Sequence, residues 1–123
     1  MKIYIAGTME DQSRIRQYRE PLFQKGHHVI STWLDEQVRP AGMTEEQFNK
    51  KMAAKDLQEI SSADLLILDL VGRKSSGKHV EFGFALAKHK LIITVTDDLT
   101  KVSTFVLLSD AVYFGWDSLI EVL

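Results

Sequence analysis

Two carboxylates stand where a folding chain seldom leaves them. Glu81 lies in the run Val80-Glu81-Phe82-Gly83-Phe84-Ala85, and Asp56 continues a Met52–Asp56–Ile60 row along an otherwise apolar helical stripe. A buried acid is rare without a partner or a purpose. An ionised, partly desolvated carboxylate suits nucleophilic attack on an anomeric carbon. Two acids in one small site also push their pKa values apart, which separates an acid from a nucleophile. Each acid has a plainer reading. Glu81 pairs with Lys78 or Lys88, and Asp56 serves as a hydrogen-bond hub. Just before the Glu81 run, Ser75-Ser76-Gly77 marks a helix start. Such a start either caps its own helix or turns free N–H groups and a positive dipole end toward an anion or a sugar. The same dipole favours the ionised form of Glu81. The helix carrying Glu81 reads as hydrophobic nearly all round and largely buried, and Gly83 inside it, which costs about 1 kcal/mol relative to Ala, points to close backbone packing against another element or a ligand.

These residues need elements to hold them, and strand and helix patterns alternate along the chain. Ile3–Ala6, His28–Ile30, Leu65–Leu68, Leu91–Val95 and Val112–Phe114 read as strands. Helical patterns cover Ser13–Lys25, bent or split by Pro21, then Thr44 to Ser62, His79–Lys88 and Asp117–Leu123. Thr44-Glu45-Glu46-Gln47 is a capping box. The unbroken apolar run Leu65–Leu68 indicates a strand covered on both faces. The expected fold is a single α/β domain over 1–123, a doubly wound parallel sheet of the flavodoxin/Rossmann-like kind, with about five strands in the order 2-1-3-4-5.

In such sheets ligands sit beyond the carboxyl ends of the strands, where strand order reverses. The loops to watch are Gly7–Met9, Ser31–Glu36, Asp69–Gly77 and Thr96–Lys101. Gly7 and Thr8 follow the first strand, where a missing side chain admits a ligand or simply makes the turn. Trp33 either stacks a base or fills the core. Asp69 closes the central strand on the crevice side, whereas Asp64 opens it on the other side and reads as structural.

Composition narrows the chemistry. The 123 residues are 45% hydrophobic, carry a formal net charge of −2 and include no cysteine. That supports one real core and no disulfide or thiolate metal site. Near-balanced charge argues against a nucleic-acid polymer or an anionic membrane as partner. No signal peptide opens the chain, so a cytoplasmic location is expected. His27, His28, His79 and His89 have no metal spacing, and there is no Walker loop or GxGxxG. No metal or cofactor is called for.

At this point the residues become familiar. Lys2-Ile3-Tyr4-Ile5-Ala6-Gly7, Lys25-Gly26-His27-His28-Val29, the segment Asp56–Asp64 and the block Ser76–Ala85 together resemble the nucleoside 2-deoxyribosyltransferase family and its nucleoside-monophosphate N-glycosidase relatives. The resemblance implies attack by Glu81 on the sugar C1′, departure of the base, and passage of a covalent glycosyl group to another base or to water. It places Asp56 among the active-site carboxylates. It implies a nucleoside or nucleotide substrate, a free base as second reactant, and a homodimer or larger homo-oligomer. Where the transferases carry an acid six positions before the nucleophile, this chain has Ser75. The monophosphate hydrolases have a phosphate-holding serine there, which leans toward a nucleotide. The sequence as given ends without the C-terminal segment that transferases lend to a neighbour's site, which weakens the transferase label. A non-catalytic nucleotide-binding module is the alternative of another class, and cleavage of a larger nucleotide such as NAD is a third.

Overall fold

Leu65–Asp69 forms the central strand β3, and all five of its residues are buried. With both faces covered there is no solvent side to alternate toward, hence the unbroken apolar run. The computed structural model describes residues 1–123 and sets four more strands around it. These are β1 (Lys2–Ala6), β2 (His28–Val29), β4 (Leu91–Thr96) and β5 (Ala111–Phe114). All pairings are parallel, in the order β2-β1-β3-β4-β5. This is the expected flavodoxin-like arrangement. Strand order reverses between β1 and β3, and that junction is where the candidate site lies.

The expected helix over Ser13–Lys25 is two short helices, α1 (Gln12–Arg16) and α2 (Arg19–Gln24). The break falls at Gln17-Tyr18, upstream of Pro21. Pro21 thereby occupies the first turn of α2, where an N–H has no helical acceptor and its loss is harmless. Helix α3 (Glu45–Ser62) opens with the capping box: Gln47 N–H donates to Thr44 Oγ1 at 3.1 Å and Thr44 N–H to Gln47 Oε1 at 2.9 Å. Helices α4 (Gly77–Ala87) and α5 (Trp116–Val122) complete the set.

Helices α3 and α4 pack together over β1 on one face of the sheet. On the other, Tyr18 stacks on Trp116 of α5 with ring centroids 4.2 Å apart. An 18-residue helix is about 27 Å long, against roughly 17 Å for a five-residue strand. The early turns of α3 therefore outrun the sheet, and only Ile60 of this helix is fully buried. What they do instead is wall the space beyond the strand ends.

Helix α4 departs from expectation. Only Lys78, Phe82 and Ala85 are buried in it, and Val80 is 65% exposed. A Cβ on Gly83 would meet nothing within 4 Å, so this glycine marks no close packing within the chain. One stripe of α4 beds on the sheet and on α3, and the rest faces outward. No helix is long and apolar enough to cross a membrane.

Candidate functional site

The pleat of β1 sends Ile3 and Ile5 to one face and Tyr4 and Ala6 to the other. Tyr4 is fully buried, and a buried phenol must find a partner for its hydroxyl. That partner is Glu81: the Tyr4 hydroxyl donates to Glu81 Oε2 across the β1–α4 junction. Asp56 of α3 lines the same cleft as Glu81, and its charge acts on the phenol. Three elements thus bring a phenol and two carboxyls together. Sequence reading had named both acids and passed over Tyr4, although a tyrosine inside an aliphatic strand signals a paired hydroxyl.

Burial, followed by the charges of Asp56 and Glu59, pushes Glu81 up to about 8 against the downward pull of the Tyr4 hydrogen bond. Burial and the neighbouring Glu59 charge push Asp56 up to about 6, while Lys55 and Tyr4 oppose this. Burial, with the charges of Glu81 and Asp56, also holds the Tyr4 phenol well above its ordinary range. These shifts keep the proton on Glu81 near neutral pH. This corrects the expectation that the helix dipole leaves Glu81 ionised, because desolvation outweighs a dipole felt from the fifth helical residue. The ion-pair reading is also set aside. Glu81 enters no salt bridge; Lys78 donates to the Arg73 carbonyl at 2.8 Å, and Lys88 lies over the Phe84 ring.

A stability slope follows from these shifts. The Glu81 pKa rises from 4.5 unfolded to about 8 folded. The unfolded chain thus releases this proton first, so the stabilisation is full below the unfolded value and lost as pH climbs through the folded one. Between about pH 5 and pH 8, wild type should lose roughly 2–4 kcal/mol relative to Glu81→Gln, which carries no such proton. Urea midpoints across that range measure it, and parallel curves would refute the shift.

Around the two acids lies a cleft of about 370 Å³. Gly7, Trp33, Asp56, Ser75, Gly77 and Glu81 all line it, drawn from β1, the loop after β2, α3 and α4. Met9, Trp33 and Asp56 also border an adjoining chamber of about 330 Å³. A Cβ on Gly7 would run into Ile15 Cδ1 and stand 3.4 Å from the Trp33 ring, so the bare backbone is required by packing on that side. Trp33 is a core residue at the edge of the cleft. It is 7% exposed with its indole N–H donating to the Ile5 carbonyl at 2.7 Å, yet it borders the cleft. Glu59 fixes the turn that carries it, accepting from Thr32 N–H at 3.1 Å and Thr32 Oγ1 at 2.7 Å. No side chain caps α4, so the serines do not act as a simple cap. Ser76 faces a different cavity from the acids, whereas Ser75 borders both.

Two expected residues prove to be scaffold. Asp69 is 1% exposed, and its oxygens accept from Arg14 Nη1 and Nη2 at 3.0 and 2.9 Å, from Trp116 Nε1 at 2.7 Å and from Val71 N–H at 3.0 Å. It ties α1, α5 and the loop after β3 to one point, with no oxygen turned to the cleft lining. Thr8 is buried and donates to the Arg73 carbonyl at 2.8 Å. Asp11 accepts from Arg73 N–H at 2.9 Å. The loop that presents Ser75 is thus pinned from both sides. Arg14, Trp116 and Glu59 were not foreseen, since nothing in their local sequence announces a partner 27 to 55 positions away.

Comparison with known proteins agrees with this architecture. The family model described as nucleoside 2-deoxyribosyltransferase matches residues 3–116. Among solved structures, a 2-deoxyribosyltransferase from Bacillus psychrosaccharolyticus is similar at 18% identity and a TM-score of 0.82, covering 98% of this chain and 90% of that one. The Leishmania mexicana 2-deoxyribosyltransferase is similar at 17% identity and 0.73, covering 98% and 97%. The Clostridium botulinum CMP N-glycosidase is similar at 22% identity and 0.66, covering 98% and 95%. A comparison of the sequence with curated proteins finds no match.

Proposed function

The chain belongs to the nucleoside 2-deoxyribosyltransferase family, and from that premise we propose that it cleaves or exchanges the N-glycosidic bond of a (deoxy)nucleoside or its 5′-monophosphate, with Glu81 as nucleophile and Asp56 as acid. The observation that carries this reading is the Glu81 carboxyl held by the Tyr4 hydroxyl in a cleft that Asp56 also lines.

One proton on the pair can occupy either acid. In the resting arrangement the proton is on Glu81 and Asp56 is ionised. Moving that proton to Asp56 gives ionised Glu81, which accepts from the Tyr4 hydroxyl, and protonated Asp56. The total charge is unchanged, so the reactive arrangement costs no desolvation of a second ion. Glu81 then attacks C1′. The bond from C1′ to the base nitrogen breaks, and the base leaves with the electron pair and takes the proton of Asp56. Water or a second base next attacks C1′, displacing the Glu81 ester, and gives its proton back to Asp56. The adjoining chamber beside Trp33 offers room for a base next to the sugar.

The test is a panel of deoxynucleosides, ribonucleosides and their 5′-monophosphates, with and without a free acceptor base, scored for free and exchanged base. Base release from at least one member is expected, with a bell-shaped kcat/KM bounded by the pair's apparent values near 6 and 8. Below the lower limb the nucleophile is lost, and above the upper limb the acid is. Tight binding without any released base would overturn the enzymatic reading.

A further inference from the structure

On the side of the α4 N-terminus away from Asp56 lies a larger cavity, of about 840 Å³, between α4 and the β4–β5 connection. Its walls contain no carboxylate, although the chain has 17 acids against 15 lysines and arginines. Arg73, Lys74, Lys78 and Lys101 line it instead, with the imidazole of His79. Lys101 is paired with Asp97, but Arg73, Lys74 and Lys78 enter no salt bridge. Lys78 is the telling member. It is 3% exposed, and its ammonium holds a single hydrogen bond, to the Arg73 carbonyl. An ammonium has three donors, and a buried one gains most from an anion. Ser75 and Ser76, at the uncapped start of α4, line the same space.

Apolar side chains share the lining. Phe82 and Leu86 continue the Lys78 stripe of α4, Leu70 and Val106 join them, and Phe105 is 73% exposed. A cavity for inorganic phosphate alone has no use for that surface or that volume. Cations, an apolar lining and an exposed aromatic ring fit a phosphate monoester with a planar apolar group. We infer that this cavity is a second ligand site, for an aromatic or heterocyclic phosphate, separate from the carboxylate cleft and divided from it by Ser75 and Lys78. Its occupant neutralises the charge of Arg73, Lys74 and Lys78 while its ring lies against Phe105. This goes beyond the glycosidic reading and does not depend on it.

Phenyl phosphate is the probe, because it has both features and no glycosidic bond to break. Titrated into the ¹⁵N-labelled protein, it should shift the amides of Lys74, Ser76, Gly83, Lys101 and Ser103 saturably, and those of Ala53 and Leu57 in the cleft much less. Inorganic phosphate should shift the same set with weaker affinity, and phenol should not saturate them. The double variant Arg73→Gln/Lys74→Gln, whose exposed side chains hold no recorded hydrogen bond, should weaken phenyl phosphate about tenfold or more. Phe105→Ser should weaken phenyl phosphate and leave inorganic phosphate unchanged. Absence of saturable shifts at millimolar probe, shifts confined to the cleft, or equal affinity in the double variant would overturn the site. Base release by the enzyme, present or absent, bears on neither result.

Discussion

Glu81→Gln is expected to lower base release on the order of 10⁴-fold or more, in kcat rather than KM, because in the proposed reaction the side chain acts on C1′ only as the bond breaks. The amide keeps the size of the carboxyl, and its oxygen still accepts from Tyr4. Cleft shape and substrate contacts are therefore preserved while the nucleophile is gone. The variant should remain folded, and should be the more stable protein above neutral pH for the reason given by its raised pKa. Tyr4→Phe separates the hydrogen-bond partner from the nucleophile. It keeps Glu81 but removes the hydroxyl that lowers its pKa, so its loss should be smaller and its pH limbs displaced. Single-turnover rates on the best substrate of the panel measure both. Unaltered turnover in Glu81→Gln ends the nucleophile assignment whatever the other residues do.

Asp69→Ala is expected to have the largest effect on folding. The carboxylate is buried and satisfies Arg14, Trp116 and Val71 at once. Its removal leaves a buried indole N–H without an acceptor and a guanidinium without its partner. Breaking a buried pair from one side costs about 3–5 kcal/mol, which for a domain of this size lowers the melting temperature by roughly 10–20 °C. Asp69→Asn should recover only part of this, since its amide N–H₂ turns one donor against another. A loss below about 1 kcal/mol by urea unfolding, the range of a surface substitution, would show that the three elements are held by something else. Because Val71 begins the loop that leads to Ser75, a folded Asp69→Asn protein should also bind nucleotides more weakly.

These two expectations divide between what the chain announces locally and what it does not. Strand and helix periodicity, the capping box at Thr44 and the buried run at Leu65–Leu68 are local signals, and each is realised in place. Right-handed crossovers between parallel strands leave few ways to order them, so the 2-1-3-4-5 sheet was legible as well. Glu81 and Asp56 stood out because an acid among apolar neighbours breaks the pattern of its own helix. Gly83 broke a pattern too, yet no other element packs against it and it borders a cavity: a helix can look apolar all round and still turn a stripe outward. Asp69 and Thr8 lie at the right strand ends, but position does not say which way an oxygen is already committed.

Sequence alone therefore determined the elements, their order in the sheet and the two anomalous acids, since each depends on residues within a turn or a strand of one another. Tertiary structure decided the partners: Tyr4 with Glu81 across 77 positions, Asp69 with Arg14 across 55, and the acid-free cavity assembled from two separated segments. It also decided the protonation order of the acids, with Glu81 held above Asp56. The physical reason is that hydrogen bonds and desolvation are set by which groups share a dry space, and no short stretch of chain encodes that space.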